Sequence, residues 1–232
     1  CDEDGIIEEI FNRIGTTDKT FIEIGCGQGL ENNTHYLLLK GWKGVWIDGS
    51  NENIRFIKNQ LGYRGDKNKK LSITQTYVDR DNINQILKEN LVQIAHEGNT
   101  VDFLSMDIDG NDLEVLRHIN AVNPRVICVE YNAKFPPSLC ETINYDPAHR
   151  WQGDDYQGSS LAAIHLVMKS HGYTLVSCSI AGTNAFFVRN EDIGPINILP
   201  LEKLYMPARY HLCHKDSGLP ASLKFLRKKL ND

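Results

Sequence analysis

Acidic side chains stand where apolar runs stop: Asp48 after Val45-Trp46-Ile47, Asp107 and Asp109 after Phe103-Leu104-Ser105-Met106, and Glu130 after Val126-Ile127-Cys128-Val129. A further acid, Glu23, opens the glycine-rich stretch Glu23-Ile24-Gly25-Cys26-Gly27-Gln28-Gly29. A carboxyl group at the end of an apolar run is costly to bury unpaired, so the pattern points to groups that meet a ligand, a cation or a proton. Alternating glycines allow a tight turn and a close approach of backbone to a bound molecule. An ionised Asp48 matches a vicinal diol through charge-assisted hydrogen bonds. Asp107 or Asp109 can serve as a base toward a hydroxyl, and so can His149, which follows Asp146-Pro147. Asp107 and Glu130 together can hold a hard divalent cation such as Mg²⁺, with His149, Asp154 or Asp155 as a further ligand. Plainer readings stand beside these. Asp109-Gly110-Asn111-Asp112 has the composition of a turn that caps the next helix, and neighbouring carboxylates also make a hydrogen-bonding substrate site.

These residues need a scaffold that gathers strand ends. Runs rich in β-branched and aromatic residues recur at Thr20–Ile24, Gly44–Ile47, Leu71–Val78, Val101–Met106 and Arg125–Glu130. Helical periodicity covers Asn33–Lys40, Asn51–Gln60, Asn82–Ala95 and Asp112–Ile119. Strands alternating with helices predict an α/β, Rossmann-like, doubly wound and mostly parallel sheet. After a helix over Ser159–His171, strands at Tyr173–Ser179 and Ala185–Arg189 are joined by Ile180-Ala181-Gly182-Thr183-Asn184. That link is too short for a crossover, so the pair forms an antiparallel hairpin. Segment 133–157, rich in Pro, Asp, Asn and Tyr, reads as a substrate-side lid. Tyr145, Trp151 and Tyr156 within it are placed to stack on a ring. The whole chain, 1–232, reads as one domain with an extension over 191–232.

In such a sheet the ligand lies beyond the carboxyl ends of the strands, beside the turn after the first one. The dinucleotide fingerprint needs its third glycine one residue later than Gly29, and Glu31 stands where a diphosphate would approach. An NAD-type oxidoreductase is therefore the secondary enzyme reading. The pattern resembles the first motif of class I S-adenosylmethionine-dependent methyltransferases. That resemblance implies a seven-stranded sheet of order 3-2-1-4-5-7-6 and assigns Glu23, Gly25, Gly27, Gly29, Asp48, Asp79 and Asp107 to the cofactor. Glu23 would act on its ammonium end through the turn or water, and Asp48 on both ribose hydroxyls. A narrower resemblance lies in 101-VDFLSMDIDGNDLEVLRHI-119 and 124-PRVICVEYN-132. It is similar to the FkbM-like branch, in which a strand ends in an acidic Gly-containing turn and the next strand ends in an acid. Together the motifs cover Phe21 to Asn132, with 184-NAFFVR-189 in support. Asp109-Gly110 departs from the Glu-Gly of many members, which bears on the acceptor more than on the cofactor. The resemblance implies methyl transfer to a hydroxyl of a sugar, a nucleotide-sugar or another small polar acceptor, with Glu130, Asn132 and Tyr156 at the acceptor and Mg²⁺ as an added cofactor. A cofactor-binding module without chemistry is a third reading.

Composition narrows the partners. A formal net charge of −5 and a pI near 5.9 exclude a general nucleic-acid-binding surface. No run approaches the roughly 18 apolar residues of a membrane span, and a cytoplasmic location is expected. The six cysteines form no C-x-x-C pair and read as reduced thiols. The stretch 223-LKFLRKKLND-232 reads as a short basic amphipathic helix docked through Leu223, Phe225, Leu226 and Leu230.

Overall fold

The computed structural model describes residues 2–61 and 70–213. Its strands are β1 Thr20–Ile24, β2 Lys43–Asp48, β3 Leu71–Gln75, β4 Thr100–Met106, β5 Asn123–Glu130, β6 Tyr173–Cys178 and β7 Asn184–Arg189. They form one sheet in the order β3-β2-β1-β4-β5-β7-β6, as the resemblance implies. The pairs β1–β2, β1–β4, β2–β3 and β4–β5 are parallel. Strand β7 runs antiparallel to both β5 and β6, so the expected hairpin closes one edge.

The helices are α1 Glu3–Ile14, α2 His35–Leu39, α3 Asn51–Gln60, α4 Ile83–Gln93, α5 Asp112–His118, α6 Leu161–Ser170 and the single turn α7 Leu201–Leu204. They cover the sheet on both faces, which explains why its central strands read as near-continuous apolar runs. On one face Ile22, Ile24, Leu104 and Met106 pack with Leu87 of α4, Leu116 of α5 and Ile164 of α6. On the other, Phe21, Trp46, Phe103 and Phe186 pack with Phe11 of α1 and Ile57 of α3. Each such side chain contributes about 1.5–3 kcal/mol on burial, so the two layers hold the strand register that brings the acidic ends together.

Helix α1 is not among the segments that periodicity singled out, although Ile7, Ile10 and Phe11 are buried at helical spacing. Strand β3 stops at Gln75 rather than Val78. Helix α2 begins at His35 rather than Asn33, because the backbone N–H groups of Asn33 and Thr34 turn to Glu23. Segment 133–157 contains no helix or strand. Its neck is closed by a bridge between Thr142 and Ser159, whose hydroxyls lie 2.7 Å apart, and by paired backbone and side-chain bonds between Glu141 and Ser160. After β7 the chain returns across the end of β5, where Tyr131 Oη donates to the Met206 carbonyl and Tyr205 Oη to the Ala133 carbonyl, both at 2.7 Å. The basic stretch 223–232 lies outside the described residues. No helix among the described residues is long and apolar enough to cross a membrane.

Candidate active site

Register aligns the strand ends: Ile24 lies opposite Ile47 and Met106, and Met106 opposite Val129. Gly25, Asp48, Asp107 and Glu130 therefore leave the sheet side by side. The Gly25 N–H bonds to the Ile47 carbonyl at 2.8 Å, and the Asp107 N–H bonds to the Ile24 carbonyl at 2.9 Å. At Gly25, where φ is +87°, a Cβ would stand 1.5 Å from the Asp107 carbonyl oxygen. The glycine there is imposed by the neighbouring strand. A Cβ on Gly29 would meet the Trp46 ring at 2.9 Å, whereas one on Gly27 would meet nothing within 4 Å. Gly27 is thus the member of the motif whose open side faces the cleft, and the motif serves packing as much as ligand approach.

Two acids on the β1–β2 side are held by donors. Glu23, 3% exposed, accepts from the Asn33 N–H and Asn32 Nδ2 at 2.8 Å each, from the Thr34 N–H at 3.1 Å, and from the Thr34 hydroxyl in a short contact. Trp46 Nε1 in turn donates to Thr34 Oγ1 at 2.7 Å. Burial pushes the Glu23 carboxyl up to about 7, against the pull of these donors. Asp48 accepts from the Gly27 N–H at 2.8 Å on one oxygen, and from the Ser50 N–H at 2.7 Å and Asn53 Nδ2 at 3.1 Å on the other.

The β4–β5 side is different. Carboxylate oxygens of Asp107, Asp109 and Glu130 lie within 4.8 Å of one another. Burial first, then the charges of Asp112, Asp109 and Glu23, push Asp107 well above the usual carboxylate range. Glu130 is raised by burial and then by Asp107. Asp109 is raised by burial and by Asp48, with His149 opposing. Asp109 sits at φ +57°, in the left-handed region. Asp112 fixes this turn from below, accepting from the Ile108 and Gly110 N–H groups at 2.8 Å each. Its role is to hold the loop that precedes α5, as the turn reading has it, although the bonds go to the loop and not to the helix start.

Two clefts meet at Gly25, Gly27 and Asp107. One, of about 360 Å³, runs past Asp48, Tyr77, Val78 and Asp109 and is covered by His149, Arg150 and Trp151 of the lid. The other, of about 380 Å³, runs past Glu23, Glu31, Asn32, Asn33 and Asn184. Arg150 lies 3.8 Å above the Tyr77 ring, joining lid to body.

Of the residues expected at the site, the strand-end acids and glycines converge, while others are spent elsewhere. Asn132 is 2% exposed, and its Nδ2 donates to the carbonyls of Asp155 and Gln157; it fastens the lid instead of facing the cleft. Asp79 accepts from the Asp81 and Asn82 N–H groups at 2.9 Å each and closes the start of α4, adjacent to but outside the cleft lining. His149 packs over Gly110, with Nε2 3.3 Å from the Asp109 carbonyl oxygen. Tyr156 is 53% exposed and meets His149 edge-on at 6.2 Å, outside the cleft lining. Tyr145 lies under Arg80 at 4.3 Å, also outside it. Asp154 and Asp155 hold lid contacts to Trp151, Tyr156 and Lys134. Sequence reasoning missed Asn184 and Tyr210. The Tyr210 phenol is raised by burial and by the charge of Glu130, an influence that nothing in the sequence near residue 210 signals.

Sheet order, glycine turn and the acid closing β2 define the class of this protein as a class I S-adenosylmethionine-dependent methyltransferase. The family model for the methyltransferase FkbM domain matches residues 16–175, and the chain belongs to that family. Membership sets aside the oxidoreductase and non-catalytic readings and makes the chain an enzyme of methyl transfer. Among solved structures, it is similar in fold to the magnesium protoporphyrin IX methyltransferase of Synechocystis PCC 6803 with bound SAH, at TM-score 0.52 and 12% identity over 81% of each chain. It is similar also to a protein described as a caffeoyl-CoA O-methyltransferase from Staphylococcus aureus, at TM-score 0.51 and 12% identity over 80% of this chain and 81% of the other. A third, described as an O-methyltransferase from Klebsiella pneumoniae, aligns at TM-score 0.50 and 10% identity over 82% and 80%. No curated protein sequence matches it.

Proposed function

We propose that the enzyme transfers a methyl group from S-adenosylmethionine to a hydroxyl of a sugar, a nucleotide-sugar or another small polar acceptor. The observation that supports this reading is the convergence of Asp107, Asp109 and Glu130 beside the glycine turn, with Glu130 lacking any hydrogen-bond donor among the described residues. Carboxyl groups crowded in this way hold a proton more tightly than one alone, and a base is what a hydroxyl nucleophile needs.

The adenosine half of the cofactor belongs in the lid-covered cleft. Asp48, pinned by its three donors in one orientation, offers its remaining acceptor capacity to the ribose diol. The amino-acid half belongs in the other cleft, whose described lining carries Glu23, Glu31 and Asp107 and no Lys, Arg or His. Such a lining suits a cation and repels the diphosphate of a dinucleotide. When bound, S-adenosylmethionine supplies an electrophilic methyl on a sulfonium. The chain aligns the acceptor oxygen with it, Asp107 or Asp109 takes the hydroxyl proton, and the lid excludes water. Trp151, 49% exposed on the cleft wall, provides an apolar face for a sugar ring.

A second reading rests on the same oxygens: Asp107, Asp109 and Glu130, within 4.8 Å of one another, would draw together around a divalent cation such as Mg²⁺, which would polarise the acceptor hydroxyl. Calorimetric titration with S-adenosylhomocysteine, then with NAD, tests the cofactor. A panel of free and nucleotide-linked sugars, followed by release of S-adenosylhomocysteine, tests the acceptor. Binding of NAD alone, or turnover confined to acceptors without hydroxyls, would end the proposal. Loss of activity with a chelator and recovery with Mg²⁺ would select the metal-assisted form.

A further inference from the structure

The amide of Asn184 is 9% exposed, at the first position of β7 and opposite Glu130. Its Nδ2 lies 3.2 Å from Glu3 Oε1 and 3.4 Å from Thr183 Oγ1. An ionised carboxylate only accepts, so the amide must turn its nitrogen toward Glu3 and its oxygen away. That oxygen is buried without a hydrogen-bond partner, and Asn184 lines the cleft assigned above to the amino-acid half. Asn32 repeats the arrangement. Its Nδ2 donates to Glu23 at 2.8 Å, which leaves a buried and unpartnered Oδ1 in a residue of the same lining. Buried polar atoms are seldom left unpaired, because desolvation without a partner is costly. Two such oxygens in one cleft, beside the carboxylates of Glu23 and Asp107, call for a ligand that brings N–H donors and positive charge.

We infer that Asn184 is a cofactor-positioning residue whose Oδ1, together with that of Asn32, accepts hydrogen bonds from the α-ammonium of the amino-acid end, and that Glu3 of α1 fixes its orientation. The inference rests on the cofactor reading above. An ammonium has three donors and no acceptor, which suits a lining whose side-chain oxygens are all acceptors. A hydroxyl of the methyl acceptor would bring a lone pair against the same oxygens and fits less well. Glu3 and Asn184 stand 181 residues apart in the chain, so helix α1 takes part in the cofactor site through Glu3. Thr183 Oγ1 also donates to the same Glu3 oxygen at 3.2 Å.

The test is calorimetric titration, in the absence of any methyl acceptor, with S-adenosylhomocysteine and with 5′-methylthioadenosine, which has the same nucleoside and no amino-acid end. Asn184→Ala is expected to weaken S-adenosylhomocysteine by about tenfold to a hundredfold and to leave 5′-methylthioadenosine unchanged. Glu3→Gln frees the amide to rotate, so it should lose a smaller factor, again for S-adenosylhomocysteine alone. The unchanged nucleoside arm shows that each variant is folded. Unaltered S-adenosylhomocysteine affinity in Asn184→Ala overturns the assignment. So does an equal loss of both ligands in Glu3→Gln, the milder variant, which decides the matter if Asn184→Ala does not fold. A wild-type enzyme that binds neither ligand would instead defeat the cofactor reading itself.

Discussion

The two halves of the site are built on opposite terms. At the ends of β1 and β2 each acid is met by backbone and side-chain donors: Glu23 by the turn at Asn32–Thr34, and Asp48 by Gly27, Ser50 and Asn53. At the ends of β4 and β5 the acids meet chiefly one another. In the first arrangement the donors offset part of the cost of burying the acid, which at Glu23 still leaves the carboxyl raised to about 7, and little is left to be rearranged when a ligand arrives. In the second there is little such offset, and like charges in a partly desolvated cluster oppose ionisation further. A fold retains such a cluster where chemistry needs it, so the contrast separates the scaffold of the site from its reactive part.

The largest expected effect tests the reactive half. Asp107→Asn should lower turnover by about 10²–10⁴, the range of a positioned acid or base, a larger factor than the loss it causes in S-adenosylhomocysteine affinity through the cleft it lines. Full turnover in this variant would move the base to Asp109 or His149. Because the carboxyls of Asp107 and Glu130 are raised, the ionised base becomes more abundant as pH rises. The wild-type kcat/KM should therefore keep climbing at pH values where an unperturbed carboxylate is already ionised, and a profile already flat above about pH 6 would point to an unperturbed carboxylate. Next in size comes the scaffold half. Glu23→Ala strands the Asn33 and Thr34 N–H groups, the Thr34 hydroxyl and the Asn32 amide, and should cost about 3 kcal/mol or more in urea unfolding. Asp48→Ala should then weaken S-adenosylhomocysteine by about 1.5–3 kcal/mol through lost charge-assisted bonds to ribose, and an unchanged affinity would remove the ribose assignment. The smallest effect has the opposite sign. Glu130→Gln should stabilise the fold by about 1 kcal/mol. A carboxyl raised in the folded state contributes stability that is full at low pH and is lost as pH rises through its folded value. The gain in Tm should accordingly be larger at about pH 8 than at about pH 5. A loss of Tm at both would mean that Glu130 has a stabilising partner in solution.

Where the hydrophobic period was strong, the sequence carried the answer. The alternation of strands and helices, the terminal hairpin and the acids at Asp48, Asp107 and Glu130 were all legible, because a strand buried on both faces leaves a plain apolar run with a polar end. Local polar residues misled. Asn132 and Asp79 follow apolar runs of the sequence as a ligand contact would, yet they hold the lid neck and the start of α4, since Asn and Asp serve backbone donors and acceptors as readily as ligands. The glycine motif was read for one purpose and serves several: Gly25 makes room for the Asp107 carbonyl and Gly29 for Trp46. Asn184 was out of reach because its partner Glu3 lies at the far end of the chain, and no local spacing encodes a contact of that separation.

The closed neck of the lid has a consequence for how this enzyme can change. With Thr142 bridged to Ser159, Glu141 to Ser160, and Asn132 tied to Asp155 and Gln157, the chain enters and leaves the lid at one fixed point. Residues 144–154 hang beyond that clasp, over the cleft, without contributing a strand or helix to the body. Lengthening or replacing them adds only the modest entropy of a larger loop and leaves the sheet, both cores and the paired acids in place. This tip can therefore be exchanged as a cassette where the graft keeps His149 over Gly110 and the Asp146 carbonyl on Asn111 Nδ2, so that it alters which acceptor is admitted while the strand-end acids stay in place.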